Sequence, residues 1–161
     1  MIERSNEQRV DEQRADVVVR QIGTDVDLAA ALAVRHDVFV LEQDVPIDLE
    51  RDEHDDLADA ACEHVLVRRD GAAVATGRVL EEPGGVAHLQ RIAVRREERG
   101  TGLGVLVVRT LEDLGRTRGL TTAELGAQVH ALGFYERLGY EAHGDVFDDA
   151  GIPHRHMRKP L

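Results

Sequence analysis

The turn between a predicted strand and a predicted helix constrains the fold of this chain more than any other feature. It has the sequence Arg99-Gly100-Thr101-Gly102-Leu103-Gly104, and it lies between the segment Val86–Val94 and an amphipathic stretch over residues 105–118. The first N–H groups of a helix lack acceptors within the helix, and the helix dipole favours anions there. Glycine also lets the backbone approach a ligand closely. The turn therefore predicts a phosphate-binding site.

Two common phosphate-binding motifs fit this turn poorly. A nucleoside-triphosphate loop ends in Gly-Lys-Ser or Gly-Lys-Thr, whereas Val105 and Leu106 follow Gly104. A dinucleotide-binding turn has the spacing G-x-G-x-x-G near the first strand of a βαβ unit. Here the spacing is G-x-G-x-G, and predicted antiparallel strands precede it.

The hydrophobic pattern predicts an α/β fold with a mixed sheet. Asp70-Gly71 favours a tight hairpin, and Pro83-Gly84-Gly85 favours a second turn. Residues 41–61 contain Pro46 and many carboxylates, which favours a loop or short irregular helices. The predicted order is β-α-β-β-β-α-β-α-β-β. The predicted strands are 17–22, 64–69, 72–80, 86–94, 121–126, 139–147 and 154–158. One predicted helix begins at Thr24, and two more span 105–118 and 130–138. Residues 1–15 are charged and lack an apolar period, so they predict a flexible tail before a single domain at 16–161.

Composition and charge exclude several classes of protein. The net charge of −11 opposes binding to nucleic acid and to anionic membranes. The chain has no apolar run long enough to span a bilayer and no apolar stretch at its start, so we expect a cytoplasmic location. Cys62 is the only cysteine, which excludes an internal disulfide. Because Lys159 is the only lysine, the acidic excess also fits adaptation to high salt.

Two motifs resemble those of the GNAT acetyltransferases. The spacing Arg99-x-x-Gly102-x-Gly104 after Ile92-Ala93-Val94 resembles the pyrophosphate-binding motif of that superfamily. The stretch over residues 125–130, followed by Phe134-Tyr135-Glu136 and Leu138-Gly139-Tyr140, resembles its second cofactor motif. The two motifs occur in the family's order.

Two further blocks resemble the ElaA-like (YjcF-like) branch of the superfamily. The first is Arg35-x-x-Val38-Phe39-Val40-x-Glu42-Gln43, with Pro46 and the later Asp52, Asp55 and His64. The second is Gly151-Ile152-Pro153-His154 with Met157. The resemblance therefore extends over about residues 35–157. It implies a GNAT-like fold in which splayed central strands form the acyl-CoA cleft.

The resemblance also implies which residues bind acetyl-CoA, the co-substrate. The backbone edge of Ile92, Ala93 and Val94 would bind the pantetheine arm, and the Val94 N–H would donate to the oxyanion. Gln128 and Phe134 are further cofactor-binding residues. The diphosphate would be bound by Arg99, Gly100, Thr101, Gly102, Leu103 and Gly104.

Proton transfer requires an acid for the departing thiolate and a base for the amine. Tyr135 occupies the family's position for the proton donor, although an aromatic packing role is the alternative. Glu42, Asp52, His64 and His88 are all candidates for the base, and Glu42 and His64 are preferred because they lie in family-like blocks. No metal site is predicted, because neither the acidic run nor His154-x-His156 has a suitable frame.

The sequence thus predicts an acetyl-CoA-dependent N-acetyltransferase in which a primary amine attacks directly within a ternary complex. The acceptor would be a small-molecule or peptide amine, and a homodimer is an open possibility. The carboxylate run at 50–56 is a solvated loop or attracts a cationic amine. A non-catalytic acyl-CoA sensor and an enzyme for longer acyl chains are the rival interpretations.

Overall fold

Seven strands form one mixed sheet in the computed structural model, which describes residues 16–161. The tail predicted at residues 1–15 lies outside the described residues. The sheet order is β1-β2-β3-β4-β5-β7-β6, and every neighbouring pair is antiparallel except β4 and β5. The strands are β1 (Val17–Gln21), β2 (Cys62–Arg69), β3 (Ala72–Glu82), β4 (Val86–Val94), β5 (Thr122–Gln128), β6 (Glu141–Asp149) and β7 (Ile152–Pro160).

Helices cover both faces of the sheet. They are α1 (Asp25–Arg35), α2 (Ile47–Glu50), α3 (Leu103–Thr117) and α4 (Leu132–Arg137). The Thr24 hydroxyl caps α1 by accepting from the Asp27 N–H at 3.2 Å, as the sequence predicts. α1 continues directly as a π-helical segment, His36–Glu42. Such segments occur frequently at functional sites.

The core lies on both faces of the sheet. On one face α3 contributes Val107 and Leu111, which pack in one cluster with Val65 and Val67 of β2. On the other face α1 packs through Leu28 and Ala31 against Leu66. Among residues 16–161, no helix is long and apolar enough to cross a bilayer.

The two central strands separate, as the resemblance implied. β4 and β5 pair only at residues 86–88 with 122–124, so their following halves diverge. Before the strands end, β4 carries a bulge at which Arg91 and Ile92 both lie opposite Gly77. Arg91 adopts a φ of 55° there. The bulge and the divergence together open the sheet at its centre.

The carboxylate run at 50–56 is only partly solvated, which corrects the prediction from sequence: Glu53 and Asp56 are exposed, but the other three carboxylates pair with arginines. Glu50 and Asp55 both bond to the Arg35 side chain, each at 2.5 Å. Asp52 and Asp55 bond to Arg78, at 2.6 and 3.0 Å. The Arg78 side chain is only 1% exposed. We call these five side chains the arginine–carboxylate network, and their mutual pairing explains why so many charges are tolerated inside the fold.

Candidate active site

A cleft of about 1090 Å³ opens where β4 and β5 diverge. One wall is the second half of β4, and the other is the end of β5 together with α4. The first turn of α3 and the π-helical segment also line it. The cleft is therefore continuous from the glycine turn to Tyr135.

The glycine turn presents unpaired amides to the cleft. Gly100 and Gly102 have φ values of 77° and 87°, which side chains larger than glycine disfavour. The first hydrogen bond within α3 runs from the Leu106 N–H to the Gly102 carbonyl. The N–H groups of residues 103–105 therefore have no acceptor in the helix, and they provide donors for an anion.

Gly104 has a packing role as well. A β-carbon at this position would lie 3.2 Å from Cζ of Phe134, because α4 packs directly on the first turn of α3. Because Gly104 has no side chain, Phe134 can pack next to the glycine turn.

Arg99 and Glu42 form an ion pair beside the cleft. The two Nη atoms of Arg99 donate to the Glu42 carboxylate at 2.6 and 2.9 Å, and Nε donates to the Val94 carbonyl at 3.1 Å. These bonds from Arg99 lower the pKa of Glu42 below its usual range. The structure thus brings together Glu42, Arg99 and Val94, and it places Glu42 in a poor position to accept a proton.

Val94 directs its backbone polar groups toward the cleft. The Arg95 N–H donates to the Val74 carbonyl, which makes Val94 and Ala75 a pair that does not exchange hydrogen bonds. The N–H and C=O of Val94 therefore point away from β3, to the side where β5 has diverged. A free N–H at this point is suited to an oxyanion.

Tyr135 lines the same cleft from α4. Its ring packs edge-to-face against Phe134 and Tyr140, at centroid distances of 4.9 and 5.9 Å. Burial raises the pKa of Tyr135 to about 12. The phenol is therefore fully protonated at neutral pH, and the ring has both a packing role and access to the cleft.

Gln128 connects the end of β5 to the π-helical segment. Its side-chain nitrogen donates to Gln43 at 2.9 Å, and its oxygen lies 2.7 Å from Nε2 of His130. The side chain lines the cleft while both of its polar atoms bond to protein groups.

The other three candidates for the base lie away from the reacting groups. His64 is 3% exposed on β2, outside the cleft, with Nε2 2.9 Å from the His54 carbonyl. Burial also lowers its pKa. Asp52 pairs with Arg78, and Nδ1 of His88 lies 2.5 Å from Oε1 of Glu82. The structure therefore does not bring His64 together with Tyr135.

His154 is a cleft residue that the sequence places in the family-like block at residues 151–154, without marking it as a candidate for the base. It lies on β7 opposite Gln128 and is 8% exposed. Nδ1 lies 2.7 Å from the Ile152 carbonyl, so Nδ1 must carry the proton. Nε2 of the neutral ring is then free to accept a proton. The family-like block was a signal for this residue, but only the fold shows that His154 lines the cleft.

Comparison with known proteins identifies the class. Residues 38–161 match the family model described as the acetyltransferase (GNAT) domain, so the chain belongs to the GNAT acetyltransferase family and is an acyltransferase. Among the described residues, no group of three or more histidine, cysteine, aspartate or glutamate side chains is arranged to hold a metal.

Individual relatives confirm the expected branch. The chain is 39% identical over 143 residues to YyaT of Bacillus subtilis (strain 168), covering 89% of this chain and 95% of that protein. It is 36% identical over 133 residues to the N-acetyltransferase YjcF of the same organism, covering 82% and 91%. The crystal structure of Escherichia coli ElaA superposes with a TM-score of 0.78 at 26% identity, covering 89% of this chain and 99% of that one.

Proposed function

We propose that the protein is an acetyl-CoA-dependent N-acetyltransferase in which a primary amine attacks the thioester directly in a ternary complex. One observation carries this proposal. The amides at the start of α3, the outward-facing Val94 backbone and the Tyr135 side chain line a single cleft. A donor molecule with a diphosphate at one end and a thioester at the other would contact all three.

The residues present fit coenzyme A. The diphosphate would accept hydrogen bonds from the amides of residues 103–105, beside the positive-φ glycines Gly100 and Gly102. Arg99 adds a positive charge at the same end. To contact phosphate, its guanidinium must give up at least one of its two hydrogen bonds to the Glu42 carboxylate. The pantetheine arm would lie along Ile92–Val94, with Phe134 and Gln128 beside it.

The chemistry requires stabilisation of an oxyanion and protonation of a leaving thiolate. The Val94 N–H is the donor for the oxyanion, because it points into the cleft without a partner strand. Tyr135 is the general acid. A phenol whose pKa is about 12 is a weak acid toward a thiol of ordinary pKa about 8.5, but the same burial raises the pKa of a thiol. Because burial disfavours phenolate and thiolate alike, the transfer depends on the placement of the Tyr135 hydroxyl at the leaving sulfur rather than on matched pKa values.

For the general base we propose His154 in preference to Glu42. His154 has a free Nε2, whereas Arg99 holds the Glu42 carboxylate and lowers its pKa. Both residues line the cleft. The amine can lose its proton to Nε2 directly or through one water molecule.

Replacement of Tyr135 by phenylalanine tests the assignment. General acid catalysis contributes about 10²- to 10⁴-fold, so Tyr135→Phe is expected to lower kcat at least 100-fold while the Kd for coenzyme A stays within about twofold. Tyr140→Phe is the matched control, because the Tyr140 hydroxyl bonds to Glu112 in the core and does not line the cleft. An unchanged kcat in Tyr135→Phe would remove Tyr135 from the mechanism. Coenzyme A binding without turnover on any amine would favour the sensor instead.

A further inference from the structure

A small side pocket opens from the cleft on its acceptor side. Its volume is about 100 Å³, and six residues line both cavities: Phe39, Gln43, Arg91, Gln128, Ile152 and His154. Val45 and Leu49 add apolar surface to it. Since a water molecule occupies about 30 Å³ in the liquid, the pocket has room for a group of only a few heavy atoms.

Two more arginines, Arg51 and Arg91, contact the arginine–carboxylate network, and with them its positive charges outnumber its negative charges. Four arginines, Arg35, Arg51, Arg78 and Arg91, contact only three carboxylates, Glu50, Asp52 and Asp55. Each carboxylate already has a closer partner than Arg91. The Arg91 nitrogens lie 3.4 Å from Asp52 and 4.0 Å from Glu50. The surplus positive charge therefore resides at Arg91, which lines both cavities.

The backbone at Arg91 supports a functional role. Its φ of 55° is a conformation that side-chain-bearing residues rarely adopt, and it occurs at the β4 bulge. Nε and one Nη bond to the carbonyls of Glu50 and Leu49, at 3.1 and 3.4 Å. These contacts fix the guanidinium at the rim of the pocket. Burial and the neighbouring Arg78 and Arg35 lower the pKa of Arg91, as expected where cations outnumber anions.

The opposite wall carries a carboxylate. Asp149 is exposed at the end of β6, next to the turn that leads into β7, and it lines the side pocket. An amine acceptor arrives as an ammonium ion, and Asp149 has the complementary charge. The pocket thus offers one positive and one negative group to the acceptor.

We propose that the acceptor is a small amino acid-like molecule, with a primary amine and a carboxylate, and that Arg91 binds the carboxylate in the side pocket. This inference rests on the proposed function and specifies its substrate class. The net charge of −11 disfavours anions over the surface as a whole. It does not set the local charge at Arg91, where a carboxylate would bind. The inference also replaces the idea that the carboxylate run attracts a cationic amine, because arginines neutralise Glu50, Asp52 and Asp55.

Matched acceptor pairs test the proposal. Acetyl transfer from acetyl-CoA is measured to alanine against ethylamine, phenylalanine against phenethylamine, and lysine against cadaverine. At least one amino acid is expected to exceed its decarboxylated partner in kcat/KM by about tenfold or more, because an arginine–carboxylate bond is charge-assisted. Equal or better use of every decarboxylated amine would overturn the inference while leaving the proposed function intact.

Variants of two arginines locate the effect. Arg91→Gln is expected to abolish the preference by raising KM for the amino acid, with kcat/KM for the decarboxylated amine within about threefold. Arg91→Lys should retain part of the preference, because it keeps the charge. Arg51→Gln is the control, since Arg51 contacts the same Glu50 but lies outside both cavities. A preference that survives in Arg91→Gln would overturn the role of Arg91.

If no amine is acetylated, the proposed function fails. A binding measurement then tests the inference by itself. N-Acetylphenylalanine and N-acetylphenethylamine are titrated into the protein by calorimetry in the presence of coenzyme A. Binding of the carboxylate-bearing compound alone, lost in Arg91→Gln, supports the inference. Absence of binding, or equal binding of both compounds, overturns it.

Discussion

Asp52→Asn should lower the stability of the fold, because Asp52 contributes to the arginine–carboxylate network. Two nitrogens of Arg78 donate to its carboxylate, at 2.6 and 2.7 Å. Burial opposes ionisation of Asp52, but the hydrogen bonds and charge of Arg78 outweigh it and lower the pKa from 3.8 to about 2. At about 1.36 kcal/mol per pKa unit, ionisation of Asp52 then stabilises the folded state by roughly 2 kcal/mol at pH 7.

The pH dependence has a defined sign. A carboxylate whose pKa is lower in the folded state contributes its full stabilisation above the unfolded pKa of 3.8, and the stabilisation is lost as pH falls toward 2. The difference in unfolding free energy between wild type and Asp52→Asn should therefore be roughly 2 kcal/mol at pH 7 and roughly half of that at pH 3.

Equilibrium unfolding in urea at both pH values measures this difference. Asp113→Asn is the matched control, because Asp113 pairs with Arg116 on the surface of α3 with 75% of its side chain exposed. That pair is expected to contribute less than about 1 kcal/mol. The reasoning is refuted if Asp52→Asn costs no more than Asp113→Asn at pH 7, or if its cost is the same at pH 3.

Two further predictions concern the cleft. In steady-state assays, His154→Gln should lower kcat about 100-fold or more, because it removes a proton acceptor from the cleft. His64→Gln should leave kcat within about threefold, because His64 lies outside the cleft. The opposite order would restore His64 as the base. Gly104→Leu should raise the Kd for coenzyme A at least tenfold and lower the Tm, because a side chain there meets Phe134 at 3.2 Å; unchanged calorimetric and melting curves would contradict that packing.

Local patterns in the sequence predicted the parts of the site that the backbone builds. The glycine turn could be predicted because Gly100 and Gly102 have φ values above zero and because α3 starts directly after them. The order of strands and helices followed from hydrophobic periodicity and turn dipeptides in the same way. Each of these signals lies within a few neighbouring residues.

Contacts between distant residues could not be predicted. The carboxylates at 50–56 resemble a solvated loop because their partners, Arg35 and Arg78, lie in α1 and β3. His64 belonged to a family-like block, yet the pairing of β2 places it opposite Arg78 and outside the cleft. His154 gains its free nitrogen from a bond to a carbonyl that only the turn into β7 positions. In each case the fold determines which side chains meet.

The central claim is that amides at the start of α3 bind the diphosphate. Titration calorimetry with coenzyme A tests this claim most directly. Pantetheine, which lacks the diphosphate together with the adenosine 3′-phosphate attached to it, is the comparison ligand. We predict one coenzyme A per chain and binding at least tenfold weaker for pantetheine. No heat with coenzyme A on folded protein, or equal affinity for the two ligands, would contradict the account.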